Sequence, residues 1–212
     1  KLGYTIYRGV GMSEYAYKQL SSGSNKMFVV VAGNIGSGKT TLLESFAELV
    51  DFKFAVVEGD LETSRDADRL KSKGINAVQI QTGSACHLDA FMVHKGLHDI
   101  PLDDIDVCFV ENVGNLVCPA SYDVGTHLNI VLVSVPEGED KIEKYPVMFR
   151  CADLILITKT DLLPYFEYDI QKEKEYARKL NPSVDILEVS TKDEESIKKV
   201  IEWINFKRSM RK

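Results

Sequence analysis

Eight consecutive residues, Gly33-Asn34-Ile35-Gly36-Ser37-Gly38-Lys39-Thr40, satisfy the phosphate-binding pattern G-x-x-x-x-G-K-S/T at every position. The chemistry follows from the residue types. Glycines let the backbone curl until its N–H groups face the β- and γ-phosphates, and a helix opening near Gly38 adds the positive end of its dipole. Lys39 supplies a fixed cation, Thr40 a hydroxyl ligand for Mg²⁺, and Gly33, Asn34, Gly36, Ser37, Gly38 and Thr41 complete the nucleotide contacts. The context is the required one: an apolar run over 27–32 reads as a buried strand, and 41–50 repeats its apolar residues at helical spacing.

A second group of residues suits the other parts of a nucleotide switch. Glu111 closes the run Val107-Cys108-Phe109-Val110, and Glu111-Asn112-Val113-Gly114 has the spacing of a D-x-x-G turn with Glu in place of Asp. In that role Glu111 reaches Mg²⁺ directly or through water, and the Gly114 amide senses the γ-phosphate. Glu58-Gly59-Asp60 ends an earlier strand in the same way, and Thr63-Ser64-Arg65-Asp66 follows as a candidate second switch. Asp60 and Asp66 are candidates for Mg²⁺ or the attacking water, or else an ordinary turn residue and helix cap. Thr158-Lys159-Thr160-Asp161 matches the guanine-reading N-K-x-D motif with Thr for Asn. The Asp161 carboxylate can accept from both guanine donors, N1–H and the N2 amine, while Lys159 lays its stem along the base. Ser190-Thr191-Lys192 occupies the place of the loop whose backbone N–H meets guanine O6.

The four cysteines divide by setting. Cys108 lies in a strand and Cys151 on an apolar helix face, so both read as core residues. Cys86 stands beside His87 where a loop turns into a helix, a place that lowers a thiol pKa, and Cys118 lies four residues past Gly114. Two thiols and an imidazole suit Zn²⁺ or Ni²⁺, but leave a tetrahedral ion one ligand short, to be supplied by water or a second subunit. By spacing alone, a cap cysteine, a surface histidine and an unrelated loop cysteine are the better reading of these three. His94 and His98 fit an exposed helix surface.

The elements that must position these residues alternate strand and helix from residue 28 onward, which predicts an α/β fold: a mostly parallel sheet with helices on both faces. Strands are expected at 53–58, 77–81, 107–111, 130–135, 154–158 and 185–189, and helices at 66–73, 88–98, 142–151, 170–180 and 194–207. Residues 1–26 read as an N-terminal arm, flexible or partly of vector origin, with a short helix over 13–20. Residues 27–212 read as one domain. The net charge of −6 offers no footprint for nucleic acid, and no apolar run is long enough for a membrane span. With no signal sequence, a cytoplasmic location is expected.

From residue 28 to about 203 the chain resembles the HypB family, the nickel-insertion GTPases of nickel–iron hydrogenase maturation. The residues that carry the resemblance are Gly33 to Thr41, Glu58-Gly59-Asp60, Thr82-Gly83, Cys86-His87-Leu88-Asp89-Ala90 and the run Glu111 to Ala120. Glu137-Gly138-Glu139-Asp140-Lys141 with Lys144-Tyr145-Pro146 adds a further stretch. The resemblance implies a P-loop NTPase of the SIMIBI-like GTPase type that binds GTP, GDP and Mg²⁺ and hydrolyses GTP slowly. It implies a nucleotide-dependent homodimer and Ni²⁺ or Zn²⁺ held near the subunit interface by Cys86, His87 and Cys118. It also implies, as partners, a hydrogenase-maturation protein and the hydrogenase large subunit. Residues 1–26 carry neither the cysteine motif nor the histidine-rich stretch of some members. The alternatives are a urease-type nickel-insertion GTPase, a metal module indifferent to nucleotide, and a small-molecule P-loop kinase.

The base motif yields a direct test. Asp161→Asn is expected to move preference from GTP toward xanthosine triphosphate, because an amide donates where the carboxylate only accepts. Competition binding with both nucleotides checks it; unchanged affinities would remove Asp161 from the base site.

Overall fold

The structure, a computed structural model, describes residues 26–60 and 65–211. The expected helix over 13–20 and the switch residues Thr63 and Ser64 lie outside them. Seven strands are formed among the described residues: β1 (Met27–Gly33), β2 (Phe54–Asp60), β3 (Asn76–Gln81), β4 (Val107–Glu111), β5 (Leu128–Ser134), β6 (Leu154–Thr158) and β7 (Asp185–Val189). Every pairing is parallel, and the order is β3-β2-β4-β1-β5-β6-β7. The chain departs from β1 toward one edge and returns to β5 on its other side. That reversal opens a crevice beyond the carboxyl end of β1, where open α/β sheets bind ligands.

The strands are covered on both faces, so they read as unbroken apolar runs. Alternation divides each run between two cores: Val29 and Val31 of β1 pack with Leu42, Phe109 and Ile204, whereas Phe28 and Val30 pack with Val57, Val93 and Val110. The helices are α1 (Lys39–Phe46), α2 (Arg65–Ser72), α3 (Ala90–Leu97), α4 (Lys141–Lys144), α5 (Pro146–Arg150), α6 (Ile170–Leu180) and α7 (Glu194–Ser209).

Three expectations are corrected. The single helix over 142–151 is two short ones, because Pro146 has no N–H to continue the ladder and holds Tyr145 out of helical geometry, at φ −123° and ψ 53°. The helix expected from residue 88 starts at Ala90, where the Asp89 carboxylate accepts from the Met92 N–H and takes the cap. Cys86 therefore lies outside the first turn, and the helix-terminus argument for a lowered thiol pKa does not apply to it. Cys151 is exposed rather than a core residue, since α5 ends at Arg150 and turns it outward; Cys108 is buried as expected.

One packing contact positions the functional loop after β3. A Cβ on Gly59 of β2 would lie 2.6 Å from Leu88 Cγ, so Leu88, next to Cys86-His87, seats directly on bare backbone. Gly59→Ala is expected to destabilise the protein by about 1–3 kcal/mol through overpacking. Denaturant unfolding of Gly59→Ala, Leu88→Ala and the double variant checks the contact: the double should lose less than the sum of the singles, and strict additivity would show that Gly59 is not making room for Leu88.

Candidate nucleotide and metal site

The phosphate loop is shaped by Gly38, whose φ of 95° lies in the left-handed region and which caps α1. Lys39, 7% exposed, directs Nζ at the carbonyls of Gly33 and Asn34, at 3.1 and 3.2 Å. Burial draws its pKa down against the opposing pull of Glu111, Asp66 and Glu137. Asn34 is anchored in turn: its Nδ2 donates to Glu137 Oε1 at 2.7 Å, while Glu137 Oε2 accepts from the Ser134 N–H and hydroxyl. Glu137 thus props the loop against the end of β5.

Thr40 Oγ1 donates to Glu111 Oε1 at 2.8 Å, which joins the phosphate loop to the turn after β4. Glu58 and Glu111 are register partners on neighbouring strands, and each is 3% exposed. The Oε2 atoms of both are buried without a hydrogen-bond partner among the described residues. Burial, with the neighbouring carboxylate, pushes Glu58 up to about 8, and burial pushes Glu111 up to about 7 against the pull of Lys39 and the Thr40 hydroxyl. Two buried carboxylate oxygens beside a hydroxyl form an all-oxygen donor set, which fits a hard cation such as Mg²⁺. Nothing local sets Glu58 above Asp60 at the strand's tip; the register between β2 and β4 singles out Glu58. Asp66 accepts from Arg69 Nη1 at 3.0 Å in the first turn of α2, and its charge still reaches Lys39 and Glu111. Asp60, at the end of β2, receives the Thr82 N–H on its carbonyl.

The residues of the expected base motif converge. Thr158 Oγ1 donates to the Ser37 carbonyl at 2.7 Å, so the hydroxyl that replaces the usual Asn still ties the base motif to the phosphate loop. Lys159 has φ 60°, the one positive φ of a non-glycine among the described residues, which stands its side chain up beside the loop. Asp161 accepts from Ser190 Oγ at 2.8 Å and pairs with Lys192 Nζ at 2.7 Å, and these two neighbours hold its carboxyl below the usual range. Ser37, Gly38, Thr41, Thr158, Lys159 and Thr191 line one small cleft that runs from the phosphate loop to this motif.

At the other end, Gly114 is pressed onto the phosphate loop: a Cβ there would meet Ile35 Cγ1 at 2.4 Å and the Ile35 backbone nitrogen at 2.9 Å. The turn then binds the cysteine loop through two asparagines whose bonds to that loop have no local signature in the sequence. Asn112 Oδ1 accepts from the Leu88 N–H at 3.0 Å; Asn115 Nδ2 donates to the Cys86 carbonyl, and its Oδ1 accepts from the Cys118 N–H at 2.9 Å. Cys86 lies within reach of Cys118 and holds the Cys118 pKa above the usual thiol range. His87 is turned aside: its ring stacks on Tyr122 with centroids 3.6 Å apart, and Nδ1 is buried without a partner among the described residues. Among the described residues no three His, Cys, Asp or Glu side chains form a metal-binding group. The single chain thus brings together the two thiols of the expected set and leaves the imidazole beside them.

The nucleotide-binding domain of the CobW/HypB/UreG family matches residues 27–188. The hydrogenase/urease maturation factor HypB of Helicobacter hepaticus is 50% identical over 198 residues, covering 91% of this chain and 80% of that protein. The chain belongs to the HypB family. Among solved HypB structures, that of Helicobacter pylori HypB in complex with nickel superposes with a TM-score of 0.87 at 45% identity, over 93% of this chain and 92% of that one. HypB from Archaeoglobus fulgidus gives 0.82 at 36% identity, over 92% and 94%. The fold is therefore that of the P-loop GTPases, and a small-molecule kinase is set aside. Among the described residues no helix is long and apolar enough to cross a membrane.

The paired carboxylates predict a pH dependence for the nucleotide-free protein. Glu58 titrates at about 8 in the fold against an ordinary 4.5, so the folded state binds the proton more tightly. Its contribution to stability is intact below about pH 4.5 and is lost as the pH rises through 8. Melting temperature should fall across this window, and Glu58→Gln should flatten the fall; an unaltered slope in that variant would place the effect elsewhere.

Proposed function

We propose that this chain is a GTP-driven metal-delivery switch for nickel–iron hydrogenase maturation, built on residues 27–212 and working in the cytoplasm. GTP binding joins two subunits, hydrolysis to GDP and phosphate releases them, and the ligation of Ni²⁺, the cargo, changes between the two states. Zn²⁺ is the competing ion for the same donors. The observation that carries this reading is the contact of Gly114 with Ile35, continued through Asn112 and Asn115 to Cys86 and Cys118. A γ-phosphate that draws in the Gly114 amide must move Cys118 with it, because four residues span at most about 14 Å and absorb little displacement.

Within the nucleotide site, Lys39 leaves its backbone carbonyls for the β- and γ-phosphates. Thr40, Glu111 and Glu58 are the residues that would hold Mg²⁺, with Asp60 and Asp66 at the rim. The ion, when bound, supplies charge neutralisation between the phosphates. Asp66 orients the attacking water. Asn115 stands where fast GTPases place a water-orienting Gln, yet here its amide is committed to Cys86 and Cys118, so intrinsic hydrolysis is slow. A turnover near about 10 per second without a partner would contradict this. Asp161, with Lys159 and the 190–192 loop, selects guanine.

At the metal end, Cys86 and Cys118 supply two thiolates. His87 completes a three-ligand set by leaving Tyr122, and a two-fold dimer brings a second set to the same ion or beside it. The partners are a hydrogenase-maturation protein and the hydrogenase large subunit. A urease-directed role shares every one of these parts, and the Helicobacter hepaticus relative carries both functions in its name.

Chelator competition for Ni²⁺ and Zn²⁺, in the GDP state and with a non-hydrolysable GTP analogue, tests the coupling. Affinities should differ between the states by about 5–150-fold, the range of typical couplings. Gly114→Ala, forced against Ile35, should narrow that gap, and Cys118→Ala should weaken metal binding in both states. Equal affinities in the parent's two states would sink the switch even if the protein hydrolyses GTP.

A further inference from the structure

The chain has four histidines, and the structure assigns them different environments. His127 is committed to the sheet: its Nδ1 accepts from the Phe28 N–H at 2.8 Å. His87 lies flat on Tyr122. His94 and His98 remain, one helical turn apart on α3 and at its C-cap, with ring centroids 4.8 Å apart and planes at 76°. Val93, Leu97 and Gly96 take the buried side of this helix, which leaves His98 exposed and His94 partly so. Neither imidazole has a hydrogen-bond partner among the described residues. Lys95, the cation between them in sequence, is folded back over the Phe91 ring, 5.2 Å from its centroid.

The spacing of the two rings is that of a chelate. Imidazole nitrogen binds borderline divalent ions at about 2.0–2.1 Å, which puts each ring centre about 3.2 Å from the ion; two rings at cis positions then stand about 4.5–4.9 Å apart. The observed 4.8 Å falls inside that range. Residues at i and i+4 lie on one helix face, so α3 holds the pair at this distance before any ion arrives. Rotation about the side-chain torsions then turns a nitrogen of each ring inward.

We propose that His94 and His98 form a two-imidazole chelate for a late first-row divalent ion such as Ni²⁺, a surface site separate from Cys86 and Cys118 and independent of the switch described above. Water fills the remaining positions. Imidazole suits Ni²⁺, Cu²⁺ and Zn²⁺, whereas Mg²⁺ demands oxygen ligands, so millimolar Mg²⁺ with nucleotide leaves the pair available. A two-ligand site is weak and open, which suits rapid exchange rather than storage. Because the chelate exists only on a folded helix, ion binding also stabilises the protein.

Titration of the nucleotide-free full chain with Ni²⁺ in excess Mg²⁺ tests the site by calorimetry. The parent should show a weaker class of site beyond any cysteine site. His94→Ala and His98→Ala should each weaken that class at least tenfold, and the double variant should lose it, with the metal-free melting temperature unchanged. Cys86→Ala/Cys118→Ala should keep it. As a readout that needs no cysteine variant, Ni²⁺ should broaden the His94 and His98 ring resonances of the parent at concentrations that leave His127 sharp. A double histidine variant that binds Ni²⁺ like the parent, unbroadened ring signals, or loss of the weak class in the folded cysteine variant would overturn the proposal.

Discussion

Two glutamates side by side at the carboxyl ends of parallel strands are the constraint around which the rest of the molecule is arranged. Glu58 and Glu111 are buried, in register, and each keeps one oxygen without a partner among the described residues. Buried like charges are unfavourable unless a proton or a cation relieves them. The fold places the relief at hand: the Thr40 hydroxyl is bonded to Glu111, and Lys39 raises its ammonium into the same field. The nucleotide-free protein therefore keeps protons on these carboxylates beside the phosphate loop up to neutral pH.

That charge site is connected to the cysteines by short, direct contacts rather than by a long path. The turn after β4 starts at Glu111, touches the phosphate loop at Gly114, and reaches Cys118 four residues later. Asn112 and Asn115 fasten it on the way to the loop that carries Cys86. Leu88, wedged on the bare backbone of Gly59, fixes the far side of that loop to β2, the strand that carries Glu58. One cysteine loop thus continues β4 and the other, which follows β3, is packed onto β2, so a change at the phosphate loop has few bonds to cross. The two thiols lie close to each other, while the His87 ring stacks on Tyr122.

Much of the fold was legible along the chain. Strands β4, β6 and β7 and helix α6 stand where periodicity placed them, because each is a run whose apolar spacing has one period and whose ends carry caps or polar residues. The errors came where local chemistry overrides pattern. Pro146 divides a helix that its apolar spacing would continue, Asp89 rather than Leu88 opens α3, and Cys151 falls past a helix end and faces outward. At the site, the contiguous motifs were read directly, since a phosphate loop is a local structure whose chemistry and spacing lie in eight residues. The partners of Glu58, Glu137, Asn112 and Asn115 were not, since each lies 24 to 103 positions away in the chain.

The sequence by itself determined the class of chemistry. A glycine loop with Lys39 and Thr40, and Asp161 in a T-K-x-D run, point to phosphate and base chemistry because those interactions depend on residue type and short spacing, whereas spacing alone left Cys86 and Cys118 open. Which carboxylates face each other, which thiols lie close, and which histidine stacks on Tyr122 were decided only by the tertiary structure. The physical reason is strand order: β4 lies between β1 and β2, so Glu111 is set beside Glu58 on one side and Thr40 above, from segments 53 and 71 residues away in the chain. Parallel register, packing against bare glycine backbone and long-range hydrogen bonds carry no local signature, and they turn separate motifs into one connected site.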